Sequence, residues 1–420
     1  MTDITSNTTI DKPAEELWRQ LLFWGIAFGL IGRLLLNNNV LDLFINYTSS
    51  GGSQLGKIHP ASYLLLASGA GVVLSFRIGL TADEARIARA LFVLLGAIVA
   101  LLFWMVANGH ATAAGYLVDT YLVAAVTGIA ILAFPPHWRM LLGDVVLVIL
   151  LASAMLGVVE AVMHFRLLPY PYAESTFRPT GLSPHPLALG LLSATAIGFV
   201  AATRWPTAWK IGVTLIFAVG TAAAGARIAT LGAAAAIALI IALQSWPSQP
   251  RPIRLRLRSL AFVVGALMLP VVILGLFSFG FLGRFQGGLV DASSLARVDI
   301  YQVFHFFSWH DILFGTDIDK VDRIVNDQLD LEYIESSLII FIFQFGLVAT
   351  VFFVAVLATL TRALVRNAGP AVVIATLIFV VVALSNNTLS SKSPTVLSLI
   401  VLVLAFRRPS RGRQPGRVRQ

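Results

Sequence analysis

Three arginines, Arg178, Arg227 and Arg297, each sit beside the start of an apolar segment or inside a long loop rich in aromatic and polar residues. Arginine carries a permanent charge on a planar fork of N–H donors, which suits it to phosphate and carboxylate groups. Arg227 opens an apolar run within Ala223–Gly232 (AAGARIATLG). A helix that starts there presents free N–H groups and the positive end of its dipole, both favourable to an anion. Two other apolar runs begin beside chemistry-bearing residues. His185 precedes Pro186, a favoured first helical residue, and Glu335 precedes Ser336 and Ser337, which are good helix caps. Three helix starts with Arg, His and Glu nearby can surround one cavity. A lone arginine of this kind is more often a headgroup contact or a loop ion pair; three together favour a site.

Other constellations point to little chemistry. The run Asp317, Asp319, Asp322, Asp327 and Asp330 lacks the glycine at the sixth position and the glutamate at the twelfth that a calcium loop needs, so it reads as a solvated face. His310 and Asp311 read as loop residues bonded to backbone. The chain has no cysteine, which removes disulfides, thiolate chemistry and Cys-based metal sites. It has no HExxH motif, and no serine nucleophile motif has a histidine partner. No metal or cofactor is expected.

The elements that must position these residues follow from composition. Of 420 residues 57% are hydrophobic and only 12% are charged, with a mean hydropathy of +0.84. A soluble domain carries about a quarter charged residues. The expected fold class is an all-α polytopic membrane protein forming a single membrane domain over 1–420. About twelve apolar runs are long enough, or nearly so, to cross roughly 30 Å of hydrocarbon. They cover 18–36, 61–76, 88–107, 113–134, 140–163, 186–203, 208–223, 227–244, 259–281, 338–360, 370–386 and 393–406. Lipid cannot satisfy stray backbone groups, so these runs should be helices. Between them lie two long structured loops, 164–185 and 282–334, of the length that is usually functional or disordered. Their aromatic and apolar content argues for order, and Ser294–Phe307 is expected to lie as a helix along the surface.

Charge fixes the expected orientation. With both termini cytoplasmic, the basic clusters Arg251/Arg254/Arg256/Arg258 and Arg362/Arg366 and the tail 407–420 fall inside, as the positive-inside rule requires. The two long loops then fall outside. The net charge of +9 therefore calls for anionic lipid rather than nucleic acid as partner. The first seventeen residues are polar and acidic and lack a signal-peptide pattern, so the first span should be an uncleaved anchor. Four charges, Arg33, Asp119, Asp144 and Glu160, fall within spans. Such charges default to pairing or function, and Arg33 is expected to pair with Asp119 or Glu160.

Taken together, Arg178-Pro179-Thr180-Gly181 followed by His185-Pro186, Gly225-Ala226-Arg227 opening a span, and a long loop with Arg297 and Gly315 before Gly346 resemble a known family. It is the O-antigen ligase and Wzy-type polysaccharide polymerase superfamily, and the resemblance covers roughly 160–350. It implies transfer of a glycan from a polyprenyl diphosphate to a sugar hydroxyl outside the bacterial cytoplasmic membrane, without metal or nucleotide sugar. It implies a polyprenyl-diphosphate-linked oligosaccharide as substrate, with membrane lipids and polysaccharide assembly proteins as partners. A lipid diphosphate leaves as an anion, so Arg178, Arg227 and Arg297 are the candidates to bind it. The acceptor hydroxyl needs a base, for which Glu335 and His185 are the candidates. Two departures stand out. Ala226 replaces the serine that commonly precedes the second-motif arginine, and Glu335 stands where ligases often carry histidine. The second tilts the reading toward a polymerase. Ligase-like transfer is the near alternative, and a secondary transporter or flippase of lipid-linked sugars is the rival from another class.

Overall fold

The computed structural model describes residues 12–49, 53–109, 114–172, 176–243, 298–331 and 334–407, together with 253, 255, 256 and 259. Nearly all of the expected span 259–281, Arg297, the first part of the loop 282–334 and the tail beyond Arg407 lie outside those residues. Within them every regular element is helical. In chain order the main helices are α1 (Lys12–Leu35), α2 (Pro60–Ser75), α3 (Ala82–Ala107), α4 (Val123–Leu132), α5 (Pro136–Met163), α6 (Pro186–Ala202) and α7 (Thr207–Ala223). They continue with α8 (Arg227–Leu243), α9 (Trp309–Phe314), α10 (Ile318–Leu329), α11 (Ser337–Phe345), α12 (Leu347–Val365), α13 (Pro370–Leu384) and α14 (Thr395–Phe406). Three of them, α3, α5 and α12, are long and apolar enough to cross a membrane by length and composition. Seven shorter apolar helical stretches accompany these among the described residues.

Helix starts follow local chemistry. Thr81 and Glu84 form a reciprocal capping box at α3, and His59 and His185 each accept a backbone N–H just before a proline at the start of α2 and α6. Helices that are apolar around their whole circumference lie innermost. In α6 every residue from Pro186 to Val200 is buried, and in α14 every residue is. Around α6 pack α7, α8 and α13, while α14 packs on α4 and α5. The outward face of α1 leaves Leu17, Trp18, Leu21, Trp24 and Phe28 exposed.

The structure breaks the single run expected at 338–360. Gly346, at φ +85°, ends α11 and starts α12, a backbone region essentially confined to glycine. A Cβ there would strike the Leu313 carbonyl oxygen, and one on Gly315 (φ +93°) would come within 2.9 Å of the Gln344 carbonyl. The two glycines let the α9 turn and the helix break press backbone to backbone. Two carbonyls freed by the break are satisfied: Thr316 donates to Phe343 at 2.6 Å and the Trp104 indole N–H to Phe345 at 2.9 Å. Hydropathy runs through the break unaltered, which is why periodicity alone predicts one helix.

Part of the loop 282–334 builds a small core of its own. Ile300, Val303, Phe307, Val321 and Val325 pack with Ile334, Ile339 and Phe343. Residues Ile300–Phe306 form a 3-10 helix within the stretch expected to be helical. The acidic run wraps α10, with Asp317 capping its start and Asp330 left-handed at its end. Asp319, Asp322 and Asp327 face outward from the buried Val321 and Val325, as a solvated face requires.

The bundle has two chemically different ends. At one, Glu84 pairs with Arg139, Asp83 pairs with Arg86 at 2.8 Å, and Arg407 donates to the Ala363 carbonyl at 3.1 Å. At the other, among the hydrogen bonds that interlock the loops, three asparagine amides reach across to neighbouring backbone. Asn37 donates to the Leu182 and Ser183 carbonyls, Asn39 to Pro184 at 3.0 Å and Asn38 to Lys392 at 2.8 Å. The candidate residues gather at this second end.

Candidate functional site

The stretch Arg178 to His185 is anchored from beneath by α5. Glu160, buried near the end of α5, accepts N–H bonds from Thr180 and Gly181, both 2.9 Å, on one oxygen and from Leu167 at 3.1 Å on the other. Ser153, two turns earlier, accepts from Leu182 at 3.0 Å. Gly181 takes a left-handed φ of +53° directly above the Ser153 carbonyl. The stretch around Arg-Pro-Thr-Gly is therefore a strap in which the N–H groups of Thr180 and Gly181 are taken up by one buried carboxylate and that of Leu182 by one hydroxyl.

This strap aims Arg178 at the start of α8. Its side chain is buried, and its Nε donates to the Ala224 carbonyl at 3.2 Å, three residues before Arg227. The turn at Ala224–Ala226 is closed by Gly225 at φ +63°. That turn also lies on the first turns of α6, where Gly190 leaves room: a Cβ there would come within 2.6 Å of the Ala226 Cβ and 3.3 Å of the Ala229 Cβ. The first turns of α6 and α8 thus lie against each other because a glycine and two alanines allow close approach.

His185 caps α6, its Nδ1 accepting the Leu187 N–H at 3.2 Å. Burial and the charges of Arg178 and Arg166 push its pKa down to about 3. It is a neutral imidazole with its hydrogen on Nε2, a donor rather than a proton acceptor in this arrangement. Tyr170 and Tyr172 pack against its ring at 6.0 and 6.1 Å. Arg166, which sequence reasoning missed, stacks over Tyr170 at 4.1 Å and Phe177 at 4.9 Å. Its fork grips the Arg178 carbonyl with two bonds of 3.0 and 2.9 Å, Nε and Nη2. The spacing Arg166-x3-Tyr170 carried no signal beyond charge beside aromatics.

Glu335 is half-buried on the neighbouring segment, just before the Ser336 cap of α11. Ser337 fixes this start by donating its N–H and hydroxyl to the Asn386 carbonyl at 3.3 and 2.9 Å. Asn386 follows α13, which packs on both α6 and α8. The structure thus brings Arg178 to the turn before Arg227 and within electrostatic reach of His185, and it sets Glu335 before a helix start tied to the loop after α13; Arg297 lies outside the described residues.

The expected ion pair of Arg33 is not formed. Asp119 instead takes the Tyr47 hydroxyl at 2.8 Å, the Ser62 hydroxyl at 2.6 Å and the His59 N–H at 3.2 Å, while Glu160 serves the strap. Arg33 is 1% exposed, and its Nε and Nη2 have no partner. Uncharged donors have outcompeted it because both carboxylates lie where chain ends need acceptors. A six-residue π segment, Leu117–Leu122, precedes α4; from it Asp119 serves Tyr47, His59 and Ser62, while Thr120 and Tyr121 both donate to the loop between α13 and α14, at the Ser391 and Leu389 carbonyls. Asp144 is half-buried elsewhere along α5, and its Oδ1 also lacks a hydrogen-bond partner.

No protein-family model matches the chain, and no curated protein matches it.

Proposed function

We propose that this chain is a membrane glycan polymerase of the bacterial cytoplasmic membrane, transferring an oligosaccharide from polyprenyl diphosphate to a sugar hydroxyl on the outer face. The observation that carries this reading is the approach of Arg178 to the turn that opens α8 at Arg227, beside the capped start of α6. Two guanidinium groups and two helix N-termini at one place favour a multiply charged anion. The proposed topology has about twelve spans, both termini cytoplasmic and the loops 164–185 and 282–334 outside, which puts this end at the outer leaflet. There a lipid tail can stay in the bilayer while its sugars project outward.

In the proposed reaction the acceptor hydroxyl oxygen bonds to the anomeric carbon of the donor glycan. The bond from that carbon to the diphosphate oxygen breaks, and polyprenyl diphosphate leaves with the electron pair. Arg178 and Arg227, with Arg297, bind the diphosphate as charge builds on it. The hydroxyl proton passes to Glu335. His185, whose lone pair already holds the Leu187 N–H, acts as a donor to the diphosphate rather than as the base. Product polymer is tested in cells: Arg227→Ala should abolish it and leave lipid-linked single repeats to accumulate, with protein level unchanged. Polymer of normal length in that variant would refute the reading.

The helix break at Gly346 favours the rival reading, since transporters place substrates at interrupted helices. Here the break is packed against the backbone of residues 313–315, with the Phe343 and Phe345 carbonyls satisfied, so it reads as a joint and glycan transfer is preferred.

A further inference from the structure

We infer that Arg33 and the cavity it lines form a binding site for a small monovalent inorganic anion of the size of chloride. Arg33 lies in the last turn of α1 and is 1% exposed. Its Nε and Nη2 are buried without a hydrogen-bond partner, and among the described residues no ion pair includes it. A guanidinium cannot escape burial by losing its proton. A buried charge of this kind requires a counter-charge or polar contacts of matching strength.

The surroundings say which. Asp119 and Glu160 direct their oxygens to Tyr47, Ser62, His59, Leu167, Thr180 and Gly181. Neither carboxylate is bound to Arg33, so among the described residues its charge has no counter-ion. One unpaired cation calls for one monovalent anion.

Size and lining select the anion. The cavity has a volume of about 20 Å³, room for one or two water-sized occupants. A diphosphate or a sugar is far too large. Besides Arg33, its polar lining is Asn37, Asn38, Ser153 and Ser183. The Ser153 oxygen accepts the Leu182 N–H, which leaves its hydroxyl hydrogen to donate inward. Asn38 Oδ1 is buried without a partner on the same wall, and a water accompanying the anion would donate to it. The cavity lies directly under residues 182–184, which Asn37 and Asn39 hold to the end of α1. An anion there therefore ties α1 to the stretch leading into His185. This inference does not rest on the glycan-transfer reading.

The test is thermal unfolding of the purified full-length protein in detergent, in chloride, bromide or gluconate at constant ionic strength. The midpoint should rise with chloride or bromide concentration relative to gluconate, as mass action requires of a ligand bound to the folded state. Arg33→Gln should remove that dependence. Equal midpoints in chloride and gluconate, or an undiminished chloride shift in Arg33→Gln, would overturn the assignment. Should Arg33→Gln not fold, wild-type crystals grown in bromide decide: an anomalous peak against the Arg33 guanidinium supports the site, and its absence refutes it.

Discussion

The Nε of Arg178 and the carbonyl oxygen of Ala224 are 3.2 Å apart, joining the strap before α6 to the turn that starts α8. Lysine cannot reproduce this contact while also presenting a planar fork. Arg178→Lys should keep the fold and lower glycan transfer by ~10-fold or more, the equivalent of one lost charge-assisted hydrogen bond. Initial rates on a lipid-linked repeat measure it. Wild-type rates would show that charge alone suffices.

Glu160 should behave as an anchor. Glutamine can offer only one acceptor oxygen to N–H groups that now share two, and its amide hydrogens would face donors. Glu160→Gln should cost about 1.5–3 kcal/mol and make the stretch 164–185 sensitive to protease before the bundle unfolds. Unfolding curves and cleavage mapping check both, and an unchanged protease pattern would contradict the anchor role.

Gly346→Ala tests the joint between α11 and α12. The conformation at φ +85° and ψ 156° costs a non-glycine residue about 1–3 kcal/mol, and the added methyl meets the Leu313 carbonyl. The expected outcome is a lower unfolding midpoint with loosening of the small core around Phe343. A midpoint equal to wild type would mean that the joint is less tightly packed than the contacts imply.

His185 gives a pH signature. Its folded pKa, about 3, lies below the ordinary value near 6.5, so the unfolded chain binds the proton more readily. Its contribution to stability is complete above about pH 6.5 and is lost as pH falls toward 3. His59, held at about 4 by burial and by Arg33, adds a second loss of the same sign. Asparagine also caps helices, so His185→Asn should preserve stability at pH 8 and flatten the decline between pH 6.5 and 4. An unchanged slope would place the acid sensitivity elsewhere.

How much of this was legible in the sequence depends on what kind of signal each residue left. The helix starts at His185-Pro186 and Arg227 were readable because proline, histidine and a charge interrupt apolar runs, and they lie within one residue of expectation. The approach of Arg178 to Ala224 was not, since it depends on Gly190 and Ala226 touching across two helices. Arg33, Asp119 and Glu160 were legible as buried charges, but their partners were not. Sequence shows charge and depth, whereas the winning donors were backbone N–H groups of loops distant in the chain. Asn37, Asn38 and Asn39 left a visible trace, three amides directly after an apolar run, that pattern reasoning passed over.

The measurement closest to the central claim uses purified protein, a polyprenyl-diphosphate-linked repeat and no nucleotide sugar. Wild type should release polyprenyl diphosphate and lengthen the glycan, while Arg178→Ala and Arg227→Ala leave single repeats on the lipid. Arg323→Ala should match wild type, because Arg323 is exposed on α10 and among the described residues bonds only its own helix, at the Asp319 carbonyl 3.1 Å away. Polymer of wild-type length from both Arg178→Ala and Arg227→Ala, or no release of polyprenyl diphosphate by wild type, would contradict the account.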